Sequence, residues 1–346
     1  LLFFQAHHVL GDGASLSAAF MDVVDEAEEF RGEVLRIWNK RKGLVKSFWQ
    51  RVKRYLQVAL WFFLGLLQTM VHQGMLSFHS WWDDNPWEAV KERALVESND
   101  AERRTVSWSE VAPLEQSKWI AQQLDGPKSK ITVNDIFCAC ASAALGRQLE
   151  EHRKRLELRD ITLSEQSRLH IGLPVHLKGG FVLPGESVGN IIGAFVVRLP
   201  SESDGSAEER LREVHKELAN IKKTPAALIS HMLARLLSQS SMILPSSWIA
   251  SVFNRSTAGA IAVVSNNRGP SKQMHIGARR VESLYGFVPM PPGVPIGLVV
   301  MSYAGNISLT MSAESWAVPD TDQFLIWMMD EYKRLLNEAK AKSSTK

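Results

Sequence analysis

The chain has 346 residues, 45% hydrophobic and 22% charged, the balance of a globular protein with a sizeable core and not of a disordered or fibrous one. Forty Lys and Arg against 37 Asp and Glu leave a net charge of +3, which gives no sign of a dedicated nucleic-acid binder. Two cysteines, Cys138 and Cys140, exclude a disulfide framework and a self-sufficient zinc site, and they suit a reducing compartment.

In chain order, Leu1 to Ala6 packs bulky apolar residues together and predicts a buried strand. No Met and no basic segment precede it, so a secretory signal does not fit, and the expectation is a sequence lacking its natural start. Val9 to Ser15 is a Gly-rich turn. Ser15 or Ser17 then caps a predicted helix to about Glu29, with Leu16, Phe20, Val23 and Val24 on one face. Arg36, Lys40, Arg41, Lys42, Lys46, Arg51, Lys53 and Arg54 bring eight positive charges. Leu44, Phe48, Val52 and Leu56 recur between and beyond them at helical spacing.

Val58 to Leu67 is an unbroken apolar decade, short of the roughly 20 residues of a membrane-spanning helix. A basic helix leading into Trp and Phe suits a membrane interface, with a buried core or lid helix and a true span as the other readings. Pro113 to Leu124 and Thr132 to His152 are predicted helices. Thr132 caps the second, Asp135 takes the acidic place of a capping box, and Ile136, Cys140, Ala143, Ala144 and Leu145 face the core. Cys138 and Cys140, two apart on an Ala-rich helix, read as buried small hydrophobes.

The segment Leu163 to Ser167 reads as a linker. The expected division is therefore 1–160, carrying a basic/apolar insertion at 36–76, and 161–346. Leu169–Pro174, Ala194–Leu199, Ile261–Ser265, Leu298–Tyr303 and Ile307–Met311 are predicted strands, and Ala207–Lys222 and Asp322–Lys342 predicted helices. Tyr303-Ala304-Gly305-Asn306 reads as a hairpin turn with Gly and Asn at positive φ. Ala339 to Lys346 is expected to fray. Strands with flanking helices predict an α/β layered fold.

The chemistry concentrates in His7-His8-Val9-Leu10-Gly11-Asp12-Gly13. An imidazole at a strand end, followed by an Asp- and Gly-containing turn, can take a proton from a hydroxyl or thiol and return it later. Asp12 can fix the turn through a basic partner or backbone amides, and Gly13 permits a tight reversal. Adjacent histidines in such a turn also suit surface positions or metal ligation. His79 to Asp84 holds His, Ser and Asp, but closeness in sequence is no sign of a triad. Pro289 to Gly293 is a rigid loop, and no GxGxxG or Walker pattern follows a strand.

His7 to Gly13 resembles the HHxxxDG motif of the wax ester synthase/diacylglycerol acyltransferase family, within the chloramphenicol-acetyltransferase-like acyltransferases. Val133-Asn134-Asp135-Ile136 resembles that family's ND motif, Leu173 to Lys178 its PVSLR segment and Gly189 to Gly193 its GN segment. Ser265 to Pro270 resembles SNVPGP, and Pro295 to Gly305 the segment before the last strands. The resemblance runs from residue 7 to about 320. It implies a two-domain α/β acyltransferase, its first domain incomplete here, that moves a fatty acyl group from acyl-CoA to a long-chain alcohol, with diacylglycerol as a further acceptor. No acyl-enzyme forms, no metal or cofactor is implied, and acyl-CoA is a co-substrate.

By the same resemblance His8 is the general base, His7 supports it, and Asp12 holds the loop. Asn134 organises the site, with Gly13, Asp135, Ser265 and Asn266 as structural or oxyanion candidates. An intracellular chain lying on a membrane or lipid-droplet surface without crossing it is implied as well. Departures are Asn267-Arg268 for Val-Pro in SNVPGP and Lys178 for the Arg of PVSLR, which are not equivalent in a bidentate contact. The family's substantial segment before HHxxxDG is represented by six residues. A non-catalytic lipid-binding relative, or an enzyme with a phenolic or amine acceptor, are the alternatives.

Overall fold

A computed structural model describes residues 1–8, 10–42, 60, 62–63, 65–66, 86–97, 103–157, 168–178, 182, 189–201, 205–240, 244–257 and 260–344. Its helices are α1 (Gly13–Met21), α2 (Ala27–Lys42), α3 (Pro86–Glu97), α4 (Leu114–Asp125), α5 (Val133–Arg155), α6 (Ala207–Lys222), α7 (Ala226–Gln239), α8 (Ser246–Thr257) and α9 (Thr321–Ser344). Its strands are β1 (Arg104–Pro113), β2 (Arg168–His176), β3 (Ile192–Pro200), β4 (Ala262–Arg268), β5 (His275–Ile276), β6 (Arg279–Arg280), β7 (Ile296–Tyr303) and β8 (Asn306–Glu314).

Six strands form one mixed sheet in the order β1-β8-β7-β4-β2-β3. The β2–β4 and β4–β7 pairs are parallel, and β1–β8, β7–β8 and β2–β3 are antiparallel. β7 reads Ile-Gly-Leu-Val-Val-Met-Ser-Tyr and is buried at all positions but Ser302, as a central strand covered on both faces requires. The β7–β8 hairpin turns through Ala304 (φ 47°) and Gly305 (φ 82°), the two left-handed positions of a two-residue loop. Gly305 was expected there, whereas Asn306 already lies in β8 and Ala304 takes the other place.

One face of the sheet carries α4, α5, α6 and α9. α5 is apolar or small all round from Ile136 to Gly146 and buried throughout, the mark of a helix inside the core. Its capping box is as expected: the Asp135 amide donates to Thr132 Oγ1 (3.3 Å) and the Thr132 amide to Asp135 Oδ2 (2.9 Å). Phe137 of α5 stacks on Tyr332 of α9 with centroids 5.7 Å apart, and the Tyr332 hydroxyl reaches Ser117 of α4 at 3.0 Å. Cys138 and Cys140 are fully buried here; burial pushes the Cys138 thiol up to about 12 and the Cys140 thiol up as well, so both stay protonated packing groups. Arg210 of α6 pairs with Glu331 of α9 inside this layer. A smaller cluster of Val24, Phe30, Met274 and Tyr303 joins α1 and α2 to the excursion after β4.

Several expectations are corrected. Leu1 to Phe4 is exposed and residues 1–7 form no strand, because a strand needs a neighbour's backbone ladder and the six strands of the sheet pair among themselves. The first helix begins at Gly13 and stops at Met21, with a second from Ala27; Asp12, not Ser15 or Ser17, is the cap. α9 continues to Ser344, so residues 339–344 are helical where fraying was expected, with Ala339 alone among them buried.

The proposed division at residue 160 coincides with no break in the sheet, since β1 lies before it and pairs with β8 after it. β1 itself went unanticipated, as did α3, α7 and α8. Of the basic and apolar segments, residues 43–59, 61, 64 and 67–85, with His79 to Asp84 among them, lie outside the described residues, as does 158–167. Leu60, Phe62, Phe63, Gly65 and Leu66 are helical.

Candidate active site

The His7–Gly13 loop is built around one carboxylate. Asp12 is 1% exposed and uses both oxygens: the Ser15 amide donates to Oδ1 at 2.9 Å, capping α1, and the Ile191 amide donates to Oδ2 at 2.8 Å. His176, at the end of β2, places Nε2 3.7 Å from the same Oδ2. The Asp12 amide in turn donates to the Gly189 carbonyl (3.2 Å), and the Ser15 hydroxyl donates to that carbonyl at 2.8 Å. Ser15 is therefore a buried strut between α1 and residue 189.

The histidines sit on the outer limb of the loop. Asn190 Nδ2 donates to the His8 carbonyl at 2.9 Å, and the Leu10 amide to the His7 carbonyl at 2.9 Å, which fixes the backbone that carries both imidazoles. His8 is half-buried and His7 exposed. Gly11 is buried so tightly that a Cβ there would lie 2.8 Å from Ser15 Cβ. A Cβ on Gly13 would meet Asn267 Oδ1 at 3.1 Å, so the tip of β4 abuts the first turn of α1.

Three segments far apart in sequence thus meet at the loop: the end of β2 at His176, the 189–191 stretch leading into β3, and the end of β4 at Asn267. Strand alternation puts Ser265 on the same face of β4 as Asn267, and Asn266, which is exposed, on the other. Asn134 and Asp135 open α5 elsewhere. Asp135 is fully buried, takes His215 Nδ1 at 2.8 Å and Lys222 Nζ at 3.2 Å, and so ties α5 to α6 besides capping its helix.

His176, Asn190 and Asn267 were not singled out as site residues from the sequence. The available signal was a polar side chain at each strand end within the family-like segments. No group of three or more His, Cys, Asp or Glu able to hold a metal occurs among the described residues. No described helix is long and apolar enough to cross a membrane.

Comparison with known proteins bears on this arrangement. Residues 188–336 match the family model of the WS/DGAT C-terminal domain. A putative diacylglycerol O-acyltransferase of Mycobacterium bovis and a probable one of Mycobacterium tuberculosis are each 22% identical over 219 residues, 63% of this chain and 45% of theirs. The match thus spans less than half the length of either relative. Among solved structures, the wax ester synthase/diacylglycerol acyltransferase from Marinobacter aquaeolei aligns with a TM-score of 0.47 and 16% identity, over 73% of this chain and 56% of that one. The epimerization domain of tyrocidine synthetase B aligns with a TM-score of 0.46 and 14% identity, over 98% and 68%. Over residues 188–336 the chain is thus similar to the C-terminal domain of the wax ester synthase/diacylglycerol acyltransferase family.

Proposed function

We propose that this chain is the catalytic-loop and C-terminal portion of an O-acyltransferase that moves a fatty acyl group from acyl-CoA to a long-chain alcohol, and to diacylglycerol. His8 is its general base: a ring nitrogen takes the acceptor hydroxyl proton as the oxygen attacks the thioester carbonyl carbon. The C–S bond then breaks, and the imidazolium returns the proton to the CoA thiolate, so no acyl group is ever attached to the protein. His7 supports the ring, and Asp12 acts through the loop and not on the substrate. The negative oxygen formed in the attack needs fixed donors. Ser265 is the preferred candidate because it shares a face of β4 with Asn267, beside Gly13. Asn266 and Asn134 have the weaker positional case.

The observation that carries this reading is the locking of the loop. The buried Asp12 carboxylate holds Ser15 and Ile191 while Asn190 holds the His8 carbonyl, so the imidazole is mounted on a backbone fixed at several points. A solvated surface turn has no need of such a mount. We further assign the chain to a membrane or lipid-droplet surface without crossing it, since its substrates are apolar and Arg36–Leu76 joins cations to aromatics.

The test is release of CoA from palmitoyl-CoA with hexadecanol, and with diacylglycerol, by the full-length protein. His8→Ala is expected to lower turnover by about 10²–10⁴-fold, with the urea midpoint unchanged. Undiminished turnover in that variant would remove His8 from the reaction. Acyl-chain binding without CoA release by the unaltered protein would favour a lipid-binding role.

A further inference from the structure

Among the described residues, His176 is the one basic side chain within ion-pair distance of the buried Asp12 carboxylate, with Nε2 3.7 Å from Oδ2. The Ser15 and Ile191 amides supply one donor to each carboxylate oxygen, which leaves a lone pair on both. A carboxylate taken out of water needs more than that, because its charge is compensated only by the dipoles set around it.

The His176 ring meets this carboxylate in a definite state. Two residues along the chain, the Lys178 amide donates to Nδ1 at 3.2 Å. Nδ1 accepts only when it carries no proton, so the hydrogen-bond pattern assigns the neutral tautomer with its proton on Nε2. The proton-bearing nitrogen is thus the one beside Asp12. At 3.7 Å the contact is longer than a formed hydrogen bond, and it sets an N–H dipole against a charge. The two side chains are 10% and 1% exposed, so little water screens them from one another.

The contact also closes a ring of three segments. The Leu177 amide, between His176 and Lys178, donates to the Ile191 carbonyl at 2.9 Å, and the Ile191 amide donates to Asp12 Oδ2 at 2.8 Å. The end of β2 is thus bonded to residue 191, residue 191 to Asp12, and Asp12 faces the end of β2 again at His176. Asn190, next to Ile191 in the chain, holds the His8 carbonyl at 2.9 Å. A shift of the Asp12 carboxylate therefore reaches the His8 backbone by two routes, along the loop and through Ile191 to Asn190.

We propose that His176 is a positioning residue for the acyl transfer: its Nε2–H fixes the Asp12 carboxylate and, through it, the backbone that carries His8. This role rests on His8 being the base, as proposed above, and His176 itself takes no part in the proton transfer.

Two substitutions separate the ring nitrogens. His176→Asn keeps an oxygen able to accept from the Lys178 amide but ends short of Asp12, whereas His176→Gln places an amide NH2 near the position of Nε2. With palmitoyl-CoA, hexadecanol and the full-length protein, His176→Asn is expected to lower kcat by about 10–100-fold with KM within about twofold, and His176→Gln to hold kcat within about threefold. A side chain that served only to pack would lower both alike, so equal kcat in the two variants overturns the proposal. Nitrogen NMR of the histidine side chains needs no turnover. Near neutral pH the parent should show a protonated Nε2 and a bare Nδ1 at His176, and His176→Asn should move the His8 ring signals more than His176→Gln does. A proton on Nδ1, or His8 signals indifferent to both variants, overturns the proposal as well. A parent that gives the expected spectra but releases no CoA keeps His176 as the anchor of the His8 backbone and removes the acyl transfer, so the two readings fail separately.

Discussion

At the scale of single residues, Asp12 joins three segments of the chain while almost fully buried. Its two oxygens receive the Ser15 and Ile191 amides and lie near His176, so removing the carboxylate leaves buried donors without acceptors. Asp12→Ala should cost about 1–3 kcal/mol in urea denaturation, and turnover should fall further than stability because the His8 backbone loses its anchor. Asp12→Asn keeps an acceptor for Ser15 and should recover part of the stability. An Asp12→Ala variant with parental stability and turnover would show that the loop holds its shape by other means.

The HHxxxDG spacing made Asp12 legible in the sequence as the residue that holds the loop. Its partners were not, because Ile191 contributes only a backbone amide, and side-chain chemistry carries no record of backbone donors. Asn190 and Asn267 were hidden for a related reason. Each lies in a segment legible as family-like, but which polar side chain in it faces the loop depends on strand alternation and on where β4 ends.

At the scale of elements, buried charge binds helix to helix. Arg210 of α6 and Glu331 of α9 are both buried, with Arg334 Nη1 adding a contact to Glu331 at 2.9 Å. Truncating Arg210 to Ala leaves the buried Glu331 carboxylate with only the partly exposed Arg334, and a loss of up to about 3 kcal/mol is expected from chemical denaturation. Replacing both partners together by Met and Leu should cost much less, since the penalty comes from the uncompensated charge and not from the missing pair. If the single and double variants lose equally, packing and not charge dominates this contact.

The elements with plain periodicity, α6 and β3, and those with a continuous apolar run, α5 and β7, were readable from sequence almost to their ends. β1 was not: among its residues only Ser107 is buried, so Arg-Thr-Val-Ser-Trp-Ser-Glu-Val-Ala-Pro carries no apolar alternation to signal a strand. Register with β8, not hydrophobic pattern, makes it one. The Leu1–Ala6 run errs the other way, with strong apolar content and no ladder.

For the whole molecule, pH sensitivity should come in part from His152. It is 1% exposed at the end of α5, donates from Nε2 to the Ala317 carbonyl at 2.8 Å and lies edge-on to Trp87. Burial holds its pKa below the ordinary 6.5, so the folded protein prefers the neutral ring. A lowered folded value means the unfolded chain binds the proton first. Stability from this group is therefore full above about 6.5 and is lost as pH falls through the folded value. The urea midpoint should drop between pH 7.5 and 5.5, and His152→Gln should flatten that slope. An unchanged slope in the variant would place the acid sensitivity in other groups. The α/β layering was legible because central strands and amphipathic helices alternate along the second half of the chain. The shared sheet across residue 160 was not, since a charged, polar stretch resembles a linker whether or not the elements around it belong to one core.

The position of β1 at the sheet edge sets a timetable for synthesis. Arg104 pairs with Glu314 and Pro113 with Asn306, so this strand emerges from the ribosome long before the hairpin that completes it. Until β8 appears, Val106 and Trp108 belong to a free edge, open to pairing with another chain. Closing so wide a loop also slows the final step of folding. Yield during expression should thus depend on how long the nascent chain waits for its last third, a kinetic constraint written into the strand order.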